Sequence, residues 1–124
     1  MQKIIFIIVI VLVIAIAFPI FAAPKADPAK YEWLKNQIET NKKLIILDVR
    51  TKEEYNRGHI PGAKLYPVDQ LRNNYPKASK DQQLVVYCRS GNRSALAKRT
   101  LESLGYTNVY DFGGLYNWQD PLEK

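Results

Sequence analysis

An uninterrupted run of fifteen apolar residues, 4–18, divides this 124-residue chain into two unlike parts. The run follows one cation, Lys3, and precedes the small residues Ala22 and Ala23, which is the order of a secretory signal peptide. As a helix it spans roughly 22 Å, and its extension to Ala23 gives about 30 Å, the thickness of the hydrocarbon core of a bilayer. We therefore expect residues 1–23 to act as a cleaved signal peptide or as an N-terminal membrane anchor.

Both outcomes predict an exported protein, in a periplasm or another extracytoplasmic space, and an uncleaved segment 4–23 would tether it to the membrane. The next residues, 24–30, are rich in Ala, Pro and Lys and indicate a linker. Residues 31–124 remain for the folded part, which is enough for one small core. This length excludes a two-domain enzyme with its cleft between the domains.

Basic residues outnumber acidic ones in the part that follows the apolar run, with 17 Lys and Arg against 12 Asp and Glu. This excess favours anionic partners. The charges are not gathered in a block, since acidic residues lie between most of the basic ones, and we therefore expect no binding of nucleic acid. One stretch differs from the rest, because residues 88–99 hold four cations and no acid.

Continuous apolar runs in the sequence indicate strands that are covered on both faces. Two such runs lie at 44–49 and 84–87; a third clear strand is predicted at 108–111, and a short strand at 63–67. Helical patterns alternate with the strands, as in parallel sheets whose strands are joined by right-handed helical crossovers. We predict an α/β domain with a small parallel β-sheet of four to five strands and helices on both faces.

Local capping signals predict where the helices begin. Asp27 followed by Pro28 is typical of a helix start, and the segment from Thr51 to Glu54 has the form of a capping box. A longer helix is expected over 94–104. Four of its residues are predicted to face inward: Ala95, Leu96, Leu101 and Leu104.

Cys88 is the only cysteine of the chain, so no intrachain disulfide can form. It follows the apolar run 84–87 and precedes a helix, at the carboxyl edge of the predicted sheet, where ligands bind in folds of this kind. Gly91 lets the turn curve so that backbone N–H groups at the helix N-terminus converge, and Arg89 and Arg93 add positive charge. These features favour a thiolate and predict a nucleophile rather than a buried structural cysteine.

Two segments of the sequence resemble rhodanese-like sulfurtransferases. CRSGNRS at 88–94 resembles their active-site loop, LDVRTKEEYNRGHIPGAKLYP at 47–67 resembles their upstream signature, and the Gly-Gly pair at 113–114 fits as well. The resemblance covers residues 43–118, nearly the whole domain, and extends to short exported members with a single domain. It implies a rhodanese-like fold and an enzyme that carries sulfur on Cys88.

The resemblance implies that Cys88 accepts the outer sulfur of a small anionic donor, thiosulfate or a persulfide, and passes it to a thiol or to cyanide. The rest of the loop is expected to bind the donor: Arg89, Ser90, Gly91, Asn92, Arg93 and Ser94. A persulfide needs no second cysteine, and we expect no cofactor. The sequence contains no zinc-ligand spacing, GxGxxG or P-loop pattern, and we expect no metal.

Three other polar residues, Asp48, Arg50 and His59, are candidates for a role in the site. Asp48 and Arg50 end the neighbouring strand, where they form either an ion pair that supports the loop or a solvated strand end. His59 is the only histidine. A preformed thiolate needs no general base, and we expect His59 to shape a turn beside the sheet.

Two alternatives to sulfur transfer stay open at this point. Cysteine-dependent phosphatases and arsenate reductases also bind an oxyanion on a loop from Cys to Arg, but those loops are generally one residue longer than the four residues that separate Cys88 from Arg93. The shorter loop fits a single sulfur atom better than a tetrahedral phosphate. The other alternative is a non-catalytic module of the same fold that binds an anion or a partner, and such a module has no need of a nucleophile.

Overall fold

The structure of the protein is a computed structural model that describes residues 24–124. The signal peptide or anchor predicted for 1–23, and the tether predicted at 4–23, lie outside the described residues. None of the helices within 24–124 is long and apolar enough to cross a membrane. The linker predicted at 24–30 is helical from Pro28 onward, because Asp27 caps a helix that begins there.

Four parallel strands form one sheet, which confirms the predicted sheet. The strands are β1 (Ile45–Asp48), β2 (Lys64–Leu65), β3 (Leu84–Cys88) and β4 (Val109–Gly114). Their order across the sheet is β2-β1-β3-β4, so β3 lies inside the sheet, and all of its residues are buried. The edge strand β2 holds only two residues, because pairing with β1 is confined to Leu47 and Asp48.

Within 24–124, three α-helices accompany the sheet: α1 (Pro28–Thr40), α2 (Lys52–Arg57) and α3 (Asn92–Ser103). A 3-10 turn (Leu115–Asn117) follows β4. Both predicted caps are confirmed. The Asp27 carboxylate accepts a hydrogen bond from the Ala29 amide at 2.9 Å. Thr51 and Glu54 form the reciprocal capping box at the start of α2.

Helix α3 begins two residues earlier than predicted, and one of its four residues predicted to face inward is exposed. Leu96, predicted to face inward, is 46% exposed. The buried stripe runs through Ser94, Ala97 and Leu101, at spacings of three and four residues, and Leu96 falls outside it. The small side chains of Ser94 and Ala97 let the first turns of α3 pack closely against the sheet.

Two apolar clusters cover the two faces of the sheet. On one face, Ala97 and Leu101 of α3 pack with Leu84 and Val86 of β3. On the other face, Leu34 of α1 packs with residues that include Val85, Tyr87 and Phe112. The predicted arrangement, an α/β layer structure with helices on both faces, is therefore confirmed. It places the last residue of β3 at the carboxyl edge of the sheet, directly before the loop that leads into α3.

Candidate active site

Cys88 lies at the end of β3, as the sequence predicts, and is 1% exposed. Two backbone N–H groups point at its sulfur. The Gly91 amide lies 3.0 Å from Sγ and the Ser94 amide 3.3 Å from it. Both amides belong to the N-terminal end of α3, where the helix dipole adds partial positive charge. The loop is therefore built to hold negative charge on the sulfur atom.

Gly91 makes this loop geometry accessible. Its φ of +103° is left-handed, and it serves as the N-cap of α3. A side chain at this position would have room, since the nearest atom, the Gly114 amide nitrogen, lies 4.0 Å from an added Cβ. Conformation, and not space, therefore requires glycine here. The Ser94 hydroxyl donates to the Gly91 carbonyl at 3.0 Å and ties the turn to the helix.

The predicted Gly-Gly pair packs beside the loop from the neighbouring strand. Gly114 is the register partner of Cys88, and the amide of Leu115 donates to the Arg89 carbonyl at 3.2 Å. A Cβ on Gly114 would lie 2.1 Å from the ring of Tyr116. Close approach of the aromatic ring therefore requires glycine at 114, and the loop gains one backbone hydrogen bond from this segment.

The two arginines of the loop have different surroundings. Arg93 forms a bidentate pair with Glu54, with Nη1–Oε1 at 2.7 Å and Nη2–Oε2 at 3.0 Å. The Arg93 hydrogen bond holds the pKa of Glu54 at about 2, and the same hydrogen bond raises the pKa of Arg93. The exposed side chain of Arg89 has no ion pair or hydrogen bond to any residue of 24–124. Of the two loop arginines predicted to bind the donor, Arg93 is thus paired with an acid and Arg89 is not paired within 24–124.

Glu54 is a site residue that sequence reasoning did not identify. The sequence pattern accounted for Glu54 as part of the capping box, where its carboxylate accepts a hydrogen bond from the Thr51 amide at 3.3 Å. The partner Arg93 is 39 residues away in the chain, and only the fold brings the two together. The other expected loop residues, Ser90 and Asn92, expose their side chains. Their backbone forms the turn around the sulfur.

Asp48 and Arg50 form a buried ion pair, so the alternative of a solvated strand end is wrong. The two residues are 0% and 6% exposed, and Arg50 Nη2 lies 2.7 Å from Asp48 Oδ2. The same Nη2 donates to the Gly58 carbonyl at 2.6 Å. The Tyr87 hydroxyl donates to Asp48 Oδ2 at 2.8 Å, and burial together with the Asp48 charge raises the pKa of Tyr87.

This buried pair reaches the active-site cysteine through the strand that carries it. Tyr87 precedes Cys88 in β3, and its hydroxyl also accepts from the Ile60 amide at 3.1 Å. The amide of Val49 donates to the Tyr87 carbonyl at 3.1 Å. The pair therefore joins the end of β1, the end of α2 and the end of β3 in one hydrogen-bonded unit next to the loop.

A cavity of about 350 Å³, which we call the mouth, lies beside the cysteine loop; Arg89 of the loop lines it, and Cys88 and Arg93 do not. Its lining combines three arginines with one acid and two leucines: Arg50, Arg57, Arg89, Glu54, Leu115 and Leu122. Leu122 comes from the C-terminal segment, and its Cδ1 would lie 3.1 Å from a Cβ on Gly58. A larger cavity, about 540 Å³, lies at the start of β1, and no residue of the cysteine loop lines it.

His59 joins the C-terminal segment to the residues that follow α2. Its backbone exchanges two hydrogen bonds of 2.9 Å with Glu123. Its ring stacks on Tyr55 at a centroid distance of 3.8 Å, and Nε2 lies 3.7 Å from the Glu123 carboxylate. No group of three or more His, Cys, Asp or Glu side chains within 24–124 is arranged to hold a metal ion.

The chain is similar to a family model and to several known proteins. The family model described as "Rhodanese-like domain" matches residues 30–121. The adenylyltransferase and sulfurtransferase UBA4 of Candida albicans is 33% identical over 109 residues, which is 81% of this chain and 24% of that protein. The Bacillus subtilis protein YrkF is 31% identical over 93 residues, and the match covers 74% of this chain and half of that protein. The chain thus spans half or less of the length of these relatives.

A solved structure with the same fold comes from Staphylococcus aureus and is described as a rhodanese-like domain protein. It is 38% identical, with a TM-score of 0.66, and the match covers 75% of this chain and 92% of that one. A family model that matches most of the described residues, together with the cysteine loop at the end of β3, leads to one conclusion. The chain belongs to the rhodanese-like domain family.

Proposed function

We propose that this protein is a sulfurtransferase that carries sulfane sulfur as a persulfide on Cys88. The observation that carries the proposal is the pair of backbone N–H groups, from Gly91 and Ser94, that point at the sulfur from the start of α3. Hydrogen bonds to an ionised group are stronger than those to a neutral one, so these donors favour the thiolate and, after transfer, the persulfide anion. Relatives described as sulfurtransferases support the same reading.

In the first step the Cys88 thiolate attacks the outer sulfur of the donor. With thiosulfate, a new S–S bond forms to Cys88 while the S–S bond of the donor breaks, and sulfite leaves with the bonding electron pair. With a thiol persulfide, R–S–SH, the thiolate R–S⁻ leaves in the same way and Cys88 becomes Cys–S–SH. The exposed guanidinium of Arg89, at the mouth of the site, attracts such anionic donors.

In the second step a nucleophile attacks the outer sulfur of the Cys88 persulfide. Cyanide takes the sulfur as thiocyanate, or a thiolate takes it as a new persulfide, and the Cys88 thiolate is regenerated. The enzyme alternates between two covalent states and needs no second cysteine. Thiosulfate or a thiol persulfide as donor, and cyanide or a thiol as acceptor, are the substrates that we propose.

Turnover measurements test this proposal. We expect the full chain, supplied with thiosulfate or glutathione persulfide and an acceptor, to transfer sulfur at a rate that is abolished in Cys88→Ser. Ser79→Ala is the matched control, because the Ser79 side chain is exposed and lies outside the cysteine loop. Equal rates in the wild type and in Cys88→Ser would overturn the proposal. Hydrolysis of an aryl phosphate that depends on Cys88 would instead favour the phosphatase alternative.

We also propose that residues 1–23 export the protein, and that an uncleaved segment 4–23 anchors it. The support is the order of one cation, a long apolar run and small residues. The N-terminal sequence of the mature protein tests this proposal. A start after Ala22 or Ala23 indicates cleavage, an intact start in the membrane fraction indicates an anchor, and an intact start in the cytoplasmic fraction contradicts export.

A further inference from the structure

The rim of the active site contains an ion pair that the proposed reaction does not use. Glu54 and Arg93 meet with two hydrogen bonds, and their side chains are 19% and 34% exposed. Arg93 is the last charged residue of the cysteine loop, and a free guanidinium there would be a ready binding group for an oxyanion. The Glu54 carboxylate occupies that guanidinium instead.

A second ion pair with a carboxylate lowers the number of unpaired arginines around the mouth. Arg50 is paired with the buried Asp48. Arg57 and Arg89 also line the cavity, and neither side chain forms an ion pair or hydrogen bond within 24–124. Two of the four arginines near the site are thus balanced by a carboxylate. The leucines at 115 and 122 add an apolar wall to the same cavity.

The two donor classes differ in the charge that they bring to this mouth. Thiosulfate is a dianion whose charge is shared between its terminal sulfur and its three oxygens, and its leaving group is the sulfite dianion. A thiol persulfide releases its thiol part as a thiolate, whose sulfur has one negative charge. The organic part of this donor can contact an apolar wall. A neutralised Arg93 therefore withdraws more stabilisation from thiosulfate than from a thiol persulfide.

We propose that Glu54 is a specificity-determining residue. By pairing with Arg93, it makes the enzyme prefer persulfides of small organic thiols over dianionic oxyanion donors such as thiosulfate. This inference rests on the proposed sulfurtransferase function. Glu54 acts through Arg93 and is not itself in contact with the sulfur. Its pair persists across the neutral range, because the Arg93 hydrogen bond holds the pKa of Glu54 at about 2.

Glu54→Gln tests the inference with little disturbance of the fold. Glutamine has the same shape and still fits the capping box, so Thr51 keeps its partner, while the negative charge is lost. Glu53→Gln is the matched control, since it removes the same charge from an exposed side chain in the same turn of α2. Thermal unfolding shows whether each variant is folded.

The readout is the rate at which the full chain gains one sulfur atom, measured by quenched-flow mass spectrometry with thiosulfate and, separately, with glutathione persulfide. We expect Glu54→Gln to raise the second-order rate constant for thiosulfate about tenfold and that for the persulfide by less than about twofold. Glu53→Gln is expected to leave the ratio of the two rate constants unchanged. An unchanged ratio in Glu54→Gln, or the same change in both variants, overturns the inference.

Arg93→Gln gives an independent result if Glu54→Gln does not fold. This variant leaves Glu54 as a free anion at the rim, and we expect the thiosulfate rate to fall more than the persulfide rate. The double variant Glu54→Gln/Arg93→Gln restores the charge of the wild-type rim, and we expect its ratio to return toward the wild-type value. Equal ratios in all of these variants overturn the inference. Absence of sulfur gain in the wild type with either donor overturns the proposed function itself.

Discussion

The buried ion pair beside the cysteine loop leads to a quantitative prediction about stability. Asp48→Asn keeps the size of the side chain and removes its charge. In the wild type, the carboxylate accepts hydrogen bonds from Arg50 at 2.7 to 3.1 Å and from the Tyr87 hydroxyl at 2.8 Å. The asparagine amide would replace one acceptor oxygen by an N–H donor. Arg50, which is 6% exposed, would keep the Gly58 carbonyl as its acceptor.

Removal of one partner from a buried ion pair costs about 3–5 kcal/mol, because the remaining charge stays buried without compensation. A domain of this size has a total stability of roughly 5–15 kcal/mol, so Asp48→Asn should lose a large part of it. Replacement of both charged residues by apolar ones, as in Asp48→Leu/Arg50→Met, leaves no uncompensated charge. We expect this double variant to be more stable than Asp48→Asn.

Urea unfolding of the full chain, followed by the fluorescence of Trp33 and Trp118, measures these differences. Asp69→Asn is the control for the same chemical change at an exposed position, and we expect it to stay within about 0.5 kcal/mol of the wild type. Tyr87→Phe removes a single hydrogen-bonding hydroxyl, with an expected loss of about 1–3 kcal/mol. A loss below about 1 kcal/mol in Asp48→Asn would refute the reasoning that this pair supports the site.

Three further predictions concern the loop and its surroundings. Gly91→Ala places a residue with a side chain at a φ of +103°. We expect the free energy of unfolding in urea to fall by about 1–2 kcal/mol and sulfur loading of Cys88 to become slower. Unchanged loading would show that the loop tolerates the strain. Gly114→Ala brings a Cβ to 2.1 Å from the Tyr116 ring, and we expect destabilisation of about 1–3 kcal/mol that Tyr116→Ala relieves. The pKa of Glu54 is lower in the folded protein, about 2, than its ordinary value of 4.5, so its ion pair stabilises the fold above about pH 4.5 and this contribution is lost as the pH falls toward 2. At neutral pH we expect Glu54→Gln to lower the free energy of unfolding by at most about 3 kcal/mol, and solvent screening of the partly exposed Arg93 reduces this value. The difference between the two proteins should vanish near pH 2. A difference that stays constant with pH would contradict this expectation.

Local signals in the sequence were sufficient for much of the fold. The caps at Asp27 and Thr51 depend on residues two or three positions away, so a sequence pattern records them directly. The strands that carry the site are continuous apolar runs, and Cys88 stands at the end of one of them. The position of the nucleophile at the carboxyl edge of a parallel sheet therefore followed from the order of the elements.

The contacts that complete the site are long-range and could not be predicted in the same way. Glu54 and Arg93 are separated by 39 residues, as are Asp48 and Tyr87. Local patterns explained each of the two acids separately, one as part of a capping box and one as a strand end. Leu96 was wrongly assigned to the core because it is apolar; the buried stripe of α3 runs through Ser94, Ala97 and Leu101, and Leu96 falls outside it.

The central claim of this account is that Cys88 carries the transferred sulfur. The most direct test is the intact mass of the full chain after incubation with thiosulfate or with glutathione persulfide. We predict a gain equal to the mass of one sulfur atom, located on Cys88 by peptide mapping, reversed by cyanide and absent in Cys88→Ser. A wild-type mass that stays unchanged with both donors would contradict the account.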